Sequence, residues 1–183
     1  MNKDLEMKLH TGNCIRTYTG LYMDVFAPTE DMICIEDIAH ALSNMPRFAG
    51  HTSEFYSVAQ HCISCFHLFN AEEDIFDPLL GLEILMHDST EAYLLDMPKP
   101  IKRLLPEYNV LEEKLMKLIF NKFGLTYPLN PEVKRIDKVM LEWEFRQFMV
   151  QDSIFTKVLT PKEAEKEFLR IYHLEMKKIL VSL

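Results

Sequence analysis

Apolar residues recur at intervals of three and four along most of the chain, the spacing of helices that bury one face. Following a polar break at Pro28 to Asp31, Glu36-Asp37 opens the first such stretch, with Ile35, Ile38, Ala39 and Leu42 on one side and Asn44 and Pro46 to stop it. Ser57 can cap a second helix whose apolar side carries Val58, Cys62, Cys65, Phe66 and Phe69, with His61 on the same side. Asp77-Pro78 supplies an N-cap and first-turn proline for a third, in which Leu82, Leu85 and Met86 lead into His87; Pro98 and Pro100 keep it from running on. A fourth follows Pro106, with Val110 or Leu111, Leu115, Leu118 and Ile119 inward and Gly124 placed to end it. Asn130-Pro131 starts a fifth, where Val133, Ile136, Met140 and Leu141 surround Asp137 and predict a carboxylate turned toward the core. Thr160-Pro161-Lys162-Glu163 is a capping box for a last helix through Phe168, Ile171, Glu175 and Ile179. Only Ile15 to Phe26, rich in Thr, Tyr and β-branched residues around Gly20, breaks the pattern and reads as a hairpin or extended arm. The expectation is an all-α fold: one domain over residues 1–183, a compact bundle of about six main helices, with no repeat and no interdomain linker.

Composition supports this reading. With 183 residues, 48% hydrophobic and 26% charged, the chain can bury a real core, and 5 Gly against 9 Pro suits helices joined by proline-marked turns. No run of 18 apolar residues and no secretory signal is present, so a cytoplasmic protein with reduced Cys14, Cys34, Cys62 and Cys65 is expected. A net charge of -8 disfavours nucleic-acid polymers and anionic membranes as partners, yet permits a small anionic ligand held by local cations.

Four polar residues on apolar faces change the picture: His61, His87, Asp88 and Asp137. Ionisable groups beside a core lose hydration and persist there only when something compensates. Taken singly, either histidine reads as a hydrogen-bonded core residue and Asp137 as a salt-bridge partner. Together, two imidazoles and two carboxylates suit a borderline divalent ion such as Mn, Co, Fe, Ni or Zn, with coordination positions left open. An ion held that way lowers the pKa of water from about 15.7 toward about 7, which is hydrolytic chemistry. Glu91, three residues after Asp88 and four after His87, falls on their side of a continuous helix, placed to act on water without ligating the metal; alone it would read as a solvated glutamate. Cys62-Ile-Ser-Cys65 lacks a second CxxC and fits core packing, as do the 11 Met.

His61 in SVAQH, the His87-Asp88 doublet and Asp137 resemble the HD superfamily of metal-dependent phosphohydrolases. More narrowly, HDSTEAYLLDMPKPIK is similar to the small 5'-deoxynucleotidases of the YfbR type. The stretch IEDIAHALSNMPRFAGHTSEFYSVAQH resembles their phage-encoded relatives, which include dATP phosphohydrolases of the DatZ kind. The resemblance spans roughly Cys14 to Phe145. It implies that His61, His87, Asp88 and Asp137 ligate one divalent ion (Co, Mn, Zn, Fe, Ni or Mg), that Glu91 activates water, that Asp96 lies near the sugar and that Arg47 and Phe48 contact substrate. Chemically, Arg47 can hold phosphate through paired hydrogen bonds and Phe48 can face sugar or base; Lys102 and Lys134 are candidates for further phosphates, and His51 stands close to Arg47 in sequence. One departure is Leu95, where related sequences often place Gly just before the sugar-side Asp. The expected activity is hydrolysis of deoxynucleoside 5'-phosphates by a homo-oligomer. The alternatives are dATP phosphohydrolase activity and, from another class, a non-catalytic nucleotide-binding regulatory module.

Overall fold

Two short strands near the N-terminus pair antiparallel, β1 (Cys14–Arg16) with β2 (Tyr22–Asp24), in the register Ile15 opposite Met23. Gly20, at φ 92°, makes the reversal, and Met23 is fully buried, so the hairpin is pinned on one side to the helices. The computed structural model describes Met7 and residues 12–72, 77–150 and 157–182.

Six helices of nine residues or more follow among the described residues, as the apolar spacing predicts. They are α1 (Ile35–Asn44), α2 (Val58–Glu72), α3 (Pro78–Met86), α6 (Pro106–Lys122), α7 (Pro131–Phe145) and α8 (Pro161–Ser182), with one-turn helices α4 (Glu91–Leu94) and α5 (Lys99–Lys102) between α3 and α6. Capping chemistry sets their starts. Ser57 Oγ accepts from the Gln60 amide at 3.1 Å, Asp77 from Leu80 at 3.0 Å and Asn130 from Glu132 at 2.9 Å. The capping box forms reciprocally, with the Thr160 amide 2.9 Å from Glu163 Oε2 and the Glu163 amide 3.3 Å from Thr160 Oγ1.

Helix α2 packs against α1, α3, α7 and α8. Its residues Val58, Ala59, Cys62, Ile63 and Phe66 join Ile38, Leu42, Leu85, Phe120 and Phe168 in one apolar cluster, while Cys65 and Phe69 meet Ile84, Val133, Ile136 and Met140 in another. The central helix thus has no solvated face over most of its length, and any polar side chain it carries inward must find partners there.

The third helix differs from the expectation. It ends at Met86 rather than carrying on toward the prolines, and a tight turn over His87 to Thr90 separates it from α4. The Ile84 carbonyl, an acceptor in the last helical turn, is taken by His87 Nδ1 at 2.7 Å, and the backbone closes instead through Ser89 N to Met86 O and Glu91 N to Asp88 O. Side-chain capture of a backbone acceptor competes with helical hydrogen bonding.

Candidate metal centre

The turn at His87, the first turn of α2 and the middle of α7 bring the four sequence-predicted ligands together. His61 Nε2 lies 3.3 Å from His87 Nε2, 3.3 Å from Asp137 Oδ1 and 3.6 Å from Asp88 Oδ2. His87 Nε2 lies 3.3 Å from Asp88 Oδ1 and 3.9 Å from Asp137 Oδ1. Donors about 2.0–2.2 Å from a common ion stand about 3.0–3.4 Å apart at ordinary coordination angles. Most of these spacings therefore fit a single small cation with little adjustment.

Hydrogen bonding fixes which way the imidazoles face. His61 Nδ1 sits 2.7 Å from Glu144 Oε1 and His87 Nδ1 2.7 Å from the Ile84 carbonyl. A carboxylate and a carbonyl accept only, so each Nδ1 donates, and each neutral ring then presents an Nε2 lone pair to the other. Facing lone pairs at 3.3 Å repel unless a cation lies between them. Two further observations point the same way. Asp88 Oδ2 is buried and lacks a hydrogen-bond partner among the described residues. At His61, burial and Arg47 oppose the positive ring, but the Glu144 and Asp137 carboxylates outweigh them and push its pKa well up. Surroundings that strengthen proton binding at this nitrogen strengthen binding of a metal cation too. The donor set thus fits a divalent ion.

Two thiols border this cluster. His61, Cys65 and His87 form one group of ligand atoms within 4.8 Å of one another, and Cys62, His87 and Asp88 another. Cys65 Sγ is 3.6 Å from His61 Nε2 and 3.9 Å from Nδ1. An atom on the Nε2 lone-pair axis would be farther from Nδ1 by most of the ring's width, so the sulfur packs against the ring instead. Burial pushes both thiols up, which keeps them protonated. The inward, core-like placement expected of the CxxC is what the fold contains.

Asp137 departs from its expected orientation. Its side chain is 34% exposed and opens toward a cavity of about 360 Å³ instead of entering the core. Although burial works against ionisation, the neighbouring imidazoles of His61 and His87 hold its carboxyl well below the usual range. His87, Asp88, Glu91, Lys102 and Lys134 line the same cavity. Glu91 Oε2 is buried and without a hydrogen-bond partner among the described residues, and burial with Asp88 and Asp96 pushes this carboxyl well up. Lys102 is not a free cation: its Nζ sits 2.5 Å from Glu112, and Tyr108 lies beneath it. Lys134 is exposed at the rim.

The remaining substrate-side residues, Arg47, Phe48 and Asp96, are not in that lining. Arg47 is only 8% exposed, with Nη2 3.0 Å from Glu144 Oε2 and Nη1 3.6 Å from Asp88 Oδ2, so its fork points into the protein. Phe48 and Ala49 have φ of 53° and 52°, a left-handed pair that turns the Phe48 ring toward Phe145 at 6.4 Å. Asp96 is partly buried; burial raises its carboxyl pKa against the pull of Arg47. His51 is exposed and also outside the lining.

Glu144 and Tyr56 complete the centre and were not expected from the sequence. Glu144 has no exposed surface and accepts from the Tyr56 hydroxyl at 2.9 Å as well as from His61 and Arg47. A signal for Glu144 does exist, since it follows Asp137 by seven residues, two helical turns, on the same face of α7. Nothing comparable marks Tyr56.

Over 154 residues the chain is 43% identical to the uncharacterized protein YfdR of Escherichia coli (strain K12), an alignment covering 84% of this chain and 83% of YfdR. The chain belongs to the YfdR family. It is also 34% identical over 126 residues to the uncharacterized protein RCAP_rcc00048 of Rhodobacter capsulatus, covering 67% of this chain and 64% of that protein. No protein-family model matches the chain. Neither relative's name carries an activity, so the chemistry has to be read from the centre itself. No helix among the described residues is long and apolar enough to cross a membrane.

Proposed function

We propose that the chain is a metal-dependent phosphohydrolase of the HD superfamily that cleaves deoxynucleoside 5'-phosphates to deoxynucleoside and phosphate. The observation that carries this reading is the pair of Nε2 atoms facing each other at 3.3 Å, flanked by Asp88 and Asp137, beside a cavity that His87, Asp88, Asp137 and Glu91 line. His61, His87, Asp88 and Asp137 would hold one divalent ion, of which Co, Mn, Zn, Fe, Ni and Mg remain the candidates. When bound, that ion supplies Lewis acidity toward phosphate oxygen and water. Glu91 orients the attacking water and takes its proton; burial and the neighbouring Asp88 and Asp96 carboxylates raise its pKa and so its affinity for that proton. Attack forms a new oxygen bond to phosphorus and breaks the bond to the nucleoside oxygen, which leaves with a proton from solvent. Lys134 offsets phosphate charge at the rim, and Lys102 can do so by exchanging Glu112 for substrate. Phe48 and Asp96 serve the nucleoside from the side of the 47–50 turn.

A triphosphate substrate such as dATP is the second reading, favoured by one feature. Lys99, Lys102, Arg103 and Asn109 line a hollow of about 190 Å³ that shares Lys102 and Asn109 with the larger cavity. In a chain of net charge -8, three cations at one end of a trough suit a longer phosphate chain. We further propose a homo-oligomer, to be read by light scattering, working in the cytoplasm.

The deciding experiment incubates protein loaded with Mn, Co, Mg or Zn with dAMP, dADP, dATP and their ribose and other-base counterparts, and identifies nucleoside and phosphate products. Release of deoxynucleoside with inorganic phosphate supports the first reading, and release with tripolyphosphate the second. If no nucleotide is hydrolysed under any of these metals, the enzyme reading fails. Glu91→Gln should keep its metal and lose about 10²–10⁴-fold in turnover.

A further inference from the structure

Glu144 has a bonding pattern that substrate chemistry does not require. Its two oxygens are completely buried on α7 and receive three donors from three places in the chain: Tyr56, His61 on α2, and Arg47 in the turn after α1. A buried carboxylate is costly unless its lone pairs are filled, and here they are filled by a cation, a phenol and an imidazole. The same guanidinium that holds Glu144 reaches Asp88 with its other terminal nitrogen, at 3.6 Å. A continuous path therefore runs from Asp88 through Arg47 and Glu144 to His61, joining two members of the metal cluster from behind.

We propose that Glu144 and Arg47 act as one positioning unit for the metal centre. Glu144 holds His61 in the tautomer that donates from Nδ1, so that Nε2 faces His87 and Asp137 as an acceptor. Arg47 holds Glu144 in place and restrains the rotation of Asp88. With Nη2 bonded to Glu144, Nη1 turned to Asp88 at 3.6 Å and Nε buried without a partner among the described residues, the Arg47 fork faces the carboxylates behind the cluster instead of the cavity. Arg47 is a positioning residue acting through two carboxylates. The inference rests on the cluster being a metal centre and is independent of which nucleotide, if any, is the substrate.

The test measures metal affinity, not turnover. Glu144→Gln keeps the size of the side chain and removes its charge; Arg47→Met keeps bulk and removes the guanidinium; the double variant removes both. Each protein is titrated with Mn²⁺ and Co²⁺ against a chromophoric chelator, the visible spectrum of the Co²⁺ form is recorded, and thermal unfolding is followed in excess chelator. Loss of an outer partner of a ligating histidine weakens metal binding by about 10–100-fold, and each single variant should fall in that range with an altered Co²⁺ spectrum. Because the two residues act as a unit, the double variant should bind about as weakly as the poorer single one instead of showing the product of the two losses. Should Glu144→Gln not fold, Arg47→Met alone must still show the weakened affinity. Variants that bind metal as tightly as the unmutated protein but unfold at lower temperature in chelator would make the carboxylate a structural clamp only and overturn the proposal, as would losses that simply multiply. If the unmutated protein binds no Mn²⁺, Co²⁺ or Zn²⁺, the metal-centre reading fails first and this inference falls with it.

Discussion

Leu95 offers a test of the backbone that carries the candidate substrate residues. It has φ 70° and ψ 154°, a region occupied almost solely by glycine, where an L side chain costs on the order of 1–3 kcal/mol. Surrounding bonds hold it there: its amide donates to the Glu91 carbonyl at 2.9 Å and its own carbonyl accepts from the Tyr108 hydroxyl at 2.8 Å. The side chain is 64% exposed, so its removal forfeits little packing. Leu95→Gly should relieve the strain while giving the unfolded chain more freedom, an opposing effect of about 0.4–1 kcal/mol. The net expectation is a stabilisation on the order of 1 kcal/mol, or a melting temperature higher by about 2–4 °C for a chain of this size. Urea unfolding and thermal melting in metal-free buffer read it directly. A glycine variant that melts at the same temperature or lower would show that the Leu95 conformation is unstrained and refute the reasoning.

Three other outcomes follow from the same geometry. Excess Mn²⁺ or Co²⁺ should raise the melting temperature and a chelator should reverse it, since an ion at 100 times its dissociation constant stabilises by about 2.7 kcal/mol; an unchanged melting curve would mean that the cluster does not bind these ions. Asp37 is 3% exposed and anchors the hairpin through the Thr19 amide at 2.7 Å and hydroxyl at 2.8 Å, so Asp37→Ala should cost about 1–3 kcal/mol in urea unfolding. Burial alone would raise the Asp37 pKa, but these bonds and one from Cys34 lower it below 3.8; its contribution is therefore complete above that pH and lost as pH falls through the lower folded value, a loss that Asp37→Ala should no longer display. Replacing Lys99 and Arg103 by alanine should weaken tripolyphosphate binding by calorimetry while leaving monophosphate binding unchanged, and equal weakening of both would remove the support for the longer substrate.

Much of the fold was legible because its signals are local. Caps at Ser57, Asp77, Asn130 and Thr160 act within three residues, and apolar spacing marks the buried face of each helix without knowledge of its partner. His61, His87, Asp88 and Asp137 stood out for a related reason: each is ionisable and shares a face with core residues, an anomaly visible in the sequence. Less legible were features that depend on a competing contact. The break at His87 arises when its ring captures the Ile84 carbonyl, and periodicity carries no trace of that.

The amino-acid sequence by itself thus determined the six main helices, the N-terminal hairpin and the residue types available for a metal. Tertiary structure decided how they are used. It turned Asp137 toward the cavity instead of the core, drew the Arg47 fork inward to Glu144 and Asp88, placed Cys65 against the His61 ring, and introduced Glu144 and Tyr56 behind the centre. The physical reason is range. Helix propensity, capping and apolar spacing act between neighbours a few residues apart, whereas His61 and Asp137 become neighbours only when α2 and α7 pack, and Arg47 and Glu144 only when the turn after α1 folds over α7, where the loss of water forces each buried charge to find its partner.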